Sequence, residues 1–289
     1  MDVGIGLPST LPAAGAATVL EWARRADSAS FSSVSVLDRI VYPNYEPLIA
    51  LAAASPVTQH VRLMTSVLLA PLRNAVLLAK QAASVDALSG GRLTLGLGAG
   101  LRADDFQVAG VDFHTRGRRF DEQLARMKRV WSGESLARGA GPIGPRPARA
   151  GGPELLLGGV SPAAAKRVGR WGDGYIAGGM DPAQARKFYD MADESWRLAG
   201  RPGKPRFVCA EYFALGPHAE EGIRTYIGDY YAFLGSAVGD MIESIPRTEE
   251  GVRATIRGFA DVGADELLLW PCVPELDQVD RLAALVPGA

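Results

Sequence analysis

Short apolar runs alternate along this chain with longer segments whose apolar residues recur every three or four positions. The first pattern reads as strands and the second as amphipathic helices. Strands are predicted at Val3–Leu7, Val34–Leu37, Val61–Val67, Arg92–Leu97, Leu155–Leu157, Tyr175–Ala177, Pro205–Leu215 and Glu266–Trp270. Helices are predicted at Ala16–Ser28, Glu46–Ala54, Ala75–Leu88, Gly117–Trp131, Ala163–Trp171, Asp181–Ala199, Ala219–Leu234, Glu249–Val262 and Leu276–Leu285, with Val238–Ile245 an extra piece. The strands are apolar without alternation, as parallel strands covered on both faces are. Eight βα units in this length predict an α/β fold, a single-domain (β/α)8 barrel over residues 1–289, with its chemistry at the C-terminal ends of the strands. A doubly wound sheet competes, but it needs Gly-x-Gly-x-x-Gly after the first strand, where Leu7-Pro8-Ser9 stands. Gly96, Gly98 and Gly100 have the wrong spacing for that motif, and no helix follows them directly. The Gly-, Pro- and Arg-rich stretch from Gly133 to Gly152 reads as a surface excursion, because βα alternation resumes after it.

Composition adds exclusions. A formal net charge of −1 gives no electrostatic case for nucleic acid or an anionic membrane. No uninterrupted apolar run approaches the ~20 residues of a membrane span, and the N-terminus enters a strand with no leader pattern. A cytoplasmic location is the expectation. Cys209 and Cys272 lie in apolar runs and read as small buried hydrophobes. His60, His114 and His218 are scattered, with no metal-ligand spacing, so no metal is expected.

The most informative stretch runs LLLGGVSPAAAKRVGRWGDGYIA, from Leu155 to Ala177. Three leucines form a strand, and Gly158-Gly159 allow a tight turn and close approach to a ligand. Ser161 suits a helix cap and Pro162 the first helical position. A helix N-terminus with free N–H groups accepts anions. Two readings stand open: a bare βαβ turn that needs glycine for geometry, or a phosphate site.

Several segments together resemble the bacterial luciferase-like superfamily of flavin- and deazaflavin-dependent oxidoreductases. VRLMTSVLLAPLRNAVLLAKQAASVDALSGGRLTLGLGAG, Val61–Gly100, is similar to that family's most characteristic region, with LSGGR at Leu88–Arg92 particularly specific. LRADDFQVAGVDFHTRGRRFDEQL, Leu101–Leu124, and the Leu155–Ile176 stretch resemble the segments that follow. The resemblance covers residues 1–180 well and the rest in general layout. It implies a barrel with a flavin across its mouth, reduced FMN or alternatively coenzyme F420. It also implies oxygenation of a small organic substrate with O2, and a separate reductase supplying the reduced flavin. The deazaflavin alternative is a hydride-transfer reductase or dehydrogenase, and a flavin-binding protein without catalysis is a third reading. A homodimer packed through Leu48–Ala54 and Ala75–Ala87 is also implied.

Carried over by position, Leu157, Gly158, Gly159, Val160 and Ser161 hold the phosphate, and Ala177 and Gly178 close that pocket. Ser66-Val67 matches a cis peptide that supports the ring. Asp38 matches an acid near the ring, and Asp104 a contact to the ring edge. The chain departs from the sugar-phosphate dehydrogenase branch, which has Asp-His where Asp38-Arg39 stands and an acidic proton donor where Leu101 stands. Arg102 replaces a common aromatic. These departures favour oxygen chemistry over alcohol dehydrogenation.

Beside these, each candidate has a plain structural reading. Asp38 suits an N-cap or salt bridge as well as a ring contact. Arg39 is a candidate substrate contact or a partner of nearby carboxylates, and Tyr42 a candidate lining of the mouth. Asp104-Asp105 next to Arg102 also reads as a solvated loop cluster. His114 is an acid/base candidate or a surface histidine. Glu211 sits in the seventh strand, where alternation is expected to point it into the barrel, either paired or functional.

Overall fold

A computed structural model of the protein describes residues 1–29 and 31–286. Eight parallel strands close into a barrel in sequence order. They are β1 (Asp2–Gly6), β2 (Ser33–Val36), β3 (Arg62–Leu69), β4 (Leu93–Gly98), β5 (Glu154–Gly158), β6 (Gly174–Gly178), β7 (Arg206–Phe213) and β8 (Glu266–Pro271). The helices are α1 (Ala16–Ser28), α2 (Pro47–Ala54), α3 (Ala75–Leu88), α4 (Ala103–Val108), α5 (Arg116–Trp131), α6 (Pro162–Trp171), α7 (Pro182–Leu198), α8 (Ala219–Tyr230), α9 (Ala237–Ser244), α10 (Glu249–Asp261) and α11 (Asp277–Ala283). The predicted barrel is therefore the observed one, with element ends shifted by a few residues. No described helix is long and apolar enough to cross a membrane.

One element was expected as loop. Residues 103–108 form α4, because Asp104 and Asp105 sit in its first turn, where carboxylates suit the helix dipole, and Phe106 buries its ring. The extra piece after α8 is a helix, α9.

The barrel floor is polar, which the apolar look of the strands hides. Arg206 bridges Glu154 at 2.6 Å and Glu266 at 2.5 Å. The Ser33 hydroxyl donates to Glu266 at 2.6 Å. Arg62 Nε donates to Thr94 at 2.8 Å, and the Thr94 hydroxyl donates to Glu154 at 2.7 Å. Higher in the barrel, Trp270 donates its Nε1–H to Ser35 Oγ at 3.0 Å. Its ring lies where side chains at Gly6 and Gly178 would be: a Cβ would come within 2.4 Å and 3.2 Å of it, respectively.

LSGGR lies at the opposite end from the mouth. Arg92 uses all five guanidinium hydrogens. Nε donates to Ser89 O at 2.9 Å. One terminal nitrogen reaches Thr58 Oγ1 and Val61 O, and the other Ser55 O and Thr58 O, all within 3.1 Å. The arginine ties the end of α3 to the turn between α2 and β3.

Candidate active site at the barrel mouth

The upper end of β3 forms one wall of the mouth. The Ser66–Val67 peptide bond is cis, at the position expected. Pairing between β3 and β4 shifts register there, between Thr65 and Leu68. Gly96 and Gly98 make room for the shift. A Cβ on Gly96 would stand 2.0 Å from the Thr65 carbonyl oxygen, and one on Gly98 2.7 Å from the Val67 side chain. The Gly-x-Gly run that failed as a nucleotide motif is thus a packing requirement of β3.

Asp38 holds the same segment from the loop after β2. Its Oδ2 accepts from the Leu69 amide at 2.7 Å and from Arg73 Nη1 at 2.6 Å, and Oδ1 accepts from Arg73 Nη2 at 3.1 Å. The carboxyl is buried. Burial pushes its pKa up from the ordinary carboxylate value, and the Arg73 guanidinium pulls the other way. Asp38 makes the salt bridge that was one of its expected readings.

Arg39 is buried and spent on neighbours. It pairs with Asp105 at 2.8 Å and Asp104 at 2.9 Å and donates to Val41 O at 3.1 Å. Asp105, fully buried, also accepts from the amides of Ile40 and Val41 at 2.9 and 2.7 Å. The expected solvated cluster is instead a brace joining the loop after β2 to α4. Tyr42 lies in the same loop, edge-on to Tyr230 with centroids 4.9 Å apart, and donates to Asp229 at 2.8 Å. Burial, followed by Asp229, raises its phenol well above the ordinary value.

The turn from β5 to α6 is built as the sequence suggests. Ser161 caps α6 by accepting from the Ala164 amide at 3.3 Å, and Pro162 opens the helix. Gly159 has φ of 139°, and a Cβ there would meet Ala164 Cβ at 2.7 Å. Tyr175 OH donates to Gly159 O at 3.2 Å and fixes the turn from β6. Gly159, Val160 and Ser161 are exposed. Their amides donate to no described residue. Three free N–H groups at the positive end of a ten-residue helix fit an anionic phosphate. Gly158 stands beside them, half-buried, with Gly178 exposed at the end of β6. Leu157 and Ala177 are buried in the core, so only their backbone borders the turn.

One expectation changes. Glu211 does not point into the barrel. The interior set of β7 includes Arg206, Ala210 and Tyr212, through Glu154 and Glu266, Gly178 and Trp270 respectively. Register is continuous from Val208 to Phe213, so alternation puts Glu211 on the outer face. There its Oε1 accepts only from the Tyr212 amide, at 2.8 Å, and burial pushes its pKa up to about 7. His114 is exposed in a short 3-10 turn (Phe113–Thr115) before α5, its ring edge-on to Phe113. Sequence reasoning missed Arg73, whose only signal was its place soon after the long third strand. It noted Arg102 only as a departure. Among the described residues no three His, Cys, Asp or Glu side chains gather to hold a metal ion.

Fold and site together define an α/β barrel with a glycine turn and an exposed helix start at its mouth. The family model for luciferase-like monooxygenases matches residues 1–268, and the chain belongs to that family. An uncharacterised protein of Mycobacterium tuberculosis is 32% identical over 134 residues, covering 39% of this chain and 46% of that protein. The oxygenase component of a flavin-dependent trigonelline monooxygenase from Acinetobacter baylyi is 33% identical over 96 residues, 32% of this chain and 26% of that one. The chain thus matches less than half the length of these relatives. Among solved structures, an F420-dependent secondary alcohol dehydrogenase superposes with a TM-score of 0.80 at 21% identity, covering 99% of each chain. The FMN-bound oxygenating constituent of 3,6-diketocamphane monooxygenase from Pseudomonas putida gives 0.74 at 16%, covering 98% of this chain and 96% of that one. At such identities the likeness is one of fold.

Proposed function

We propose that this chain is a flavin-dependent monooxygenase that takes up reduced FMN, delivered by a separate reductase, and oxygenates a small organic substrate with O2. The observation that carries the reading is the set of unpartnered amides at Gly159, Val160 and Ser161 on an exposed helix start. They would hold the flavin phosphate, with the Ser161 hydroxyl beside them. Ser66 and Val67 would support the ring, held in place by Asp38 and Arg73. The bound flavin supplies the redox chemistry, activating O2 once reduced. The protein binds, orients and keeps water out, and its buried upper residues, among them Tyr212 and Trp270, suit that task. The departures at Arg39 and Leu101 support oxygenation over alcohol dehydrogenation, because the His and acid of the dehydrogenase branch are missing.

A paired titration with FMN and coenzyme F420, each oxidised and reduced, tests the proposal. Tighter binding of reduced FMN is expected. Tight F420 binding with no FMN affinity would overturn it in favour of hydride transfer. Binding of reduced FMN whose reoxidation no substrate alters would leave a carrier.

A further inference from the structure

Arg39 and Arg102 both stand at the mouth, and they differ in what they touch. Arg39 is neutralised by Asp104 and Asp105. Arg102 follows the glycines that end β4 and is half-buried at the start of α4. Its guanidinium carbon lies 4.5 Å from the Tyr230 centroid, 4.2 Å from that of Phe233 and 5.5 Å from that of Tyr231. Among the described residues no carboxylate lies within ion-pair distance of it, and none of its nitrogens donates to a described acceptor.

Aromatic faces attract a guanidinium through its charge and plane but use none of its N–H groups. Arg102 is therefore held in position by Tyr230 and Phe233 while its in-plane donors stay free. A planar, partly desolvated guanidinium with free donors matches a carboxylate or phosphate in a two-pronged arrangement. A residue with only a packing role would not need the charge, and the neighbouring arginine shows that this mouth supplies carboxylates where charge is to be neutralised within the chain.

We propose that Arg102 recognises an anionic group, carboxylate or phosphate, on the ligand that enters the mouth, with Tyr230 and Phe233 as its positioning residues. The inference rests on the mouth being the ligand site of the proposed monooxygenase. The anion belongs either to the substrate or to the cofactor, and the test separates the two.

The probes are benzoate and phenyl phosphate, with benzamide as the neutral counterpart, and FMN and F420 as cofactors. Each is titrated calorimetrically against the wild type, Arg102→Gln, Arg102→Lys and Phe233→Leu. The expected result is a loss of about tenfold or more in affinity for at least one anionic ligand in Arg102→Gln. Arg102→Lys and Phe233→Leu lose less, and benzamide responds to none of them. A loss confined to benzoate or phenyl phosphate assigns the anion to the substrate. A loss confined to FMN or F420 assigns it to the cofactor. If wild type and Arg102→Gln are indistinguishable with every anionic ligand, by equal affinity or by no measurable binding, the proposal falls. If the wild type binds neither cofactor but holds benzoate through Arg102, the flavin reading fails and this one stands. If it binds FMN and Arg102→Gln changes nothing, this one alone fails.

Discussion

Glu211 lies on the outer face of β7, where its carboxyl accepts a single hydrogen bond, from the Tyr212 amide. Its type and strand were evident, but the face it occupies depends on which residues of β7 fill the barrel, and Arg206 and Tyr212 fix that parity through contacts with β5 and β8. Asp38 escaped the sequence reading differently. Its partner Arg73 comes from 35 positions further along, a pairing no local pattern displays. For Glu211 the consequence is measurable. Its carboxyl is pushed up to about 7 by burial, so the folded state favours the protonated form. A raised carboxyl stabilises the fold fully below its unfolded pKa of about 4.3, and that stability is lost as pH rises through 7. Glu211→Gln mimics the protonated acid. It is expected to be more stable than the wild type at pH 8, by about 3–4 kcal/mol, and equal to it near pH 4. Urea unfolding at the two pH values checks this; equal stability at pH 8 would show that the carboxyl carries no such penalty.

At the scale of an element, the turn from β5 into α6 was the most legible part of the chain. Cap, proline and glycines are local signals, and each does in the structure what its chemistry suggests. Helix α4 was not legible, because it is short and the only apolar side chain it buries is Phe106. The β3–β4 register shift was half legible: the glycines of β4 were seen but their purpose was not, since it lies in the backbone of the neighbouring strand. The β5–α6 turn yields a sharp expectation. Gly159→Ala adds a methyl that would sit 2.7 Å from Ala164 Cβ, at a φ of 139° that side chains disfavour, and so displaces the free amides. FMN affinity, followed by quenching of flavin fluorescence, is expected to fall about tenfold or more, as when charge-assisted bonds are lost. Unchanged affinity would remove this turn as the phosphate site.

At the scale of the molecule, barrel closure was legible because eight apolar strands alternating with helices leave few other ways to bury both sheet faces. The polar floor was not, since Arg62, Glu154, Arg206 and Glu266 lie at strand ends, where sequence alone reads charges as boundary residues. Arg92, in the segment most typical of the family, belongs to that same end, far along the strands from the mouth. Arg92→Met leaves four carbonyls and a hydroxyl without their donor. It is expected to cost about 2–4 kcal/mol of stability while the folded fraction binds FMN as the wild type does. Chemical denaturation and the FMN titration together check this; a selective loss of FMN affinity would tie this end to the site. The Arg92 staple therefore separates pedigree from chemistry. The residues by which this chain is most readily recognised secure the assembly of the barrel, while those proposed to meet its ligand stand at the other end. Kinship declared by LSGGR is kinship of construction, and two barrels that share it are under no physical obligation to share a reaction.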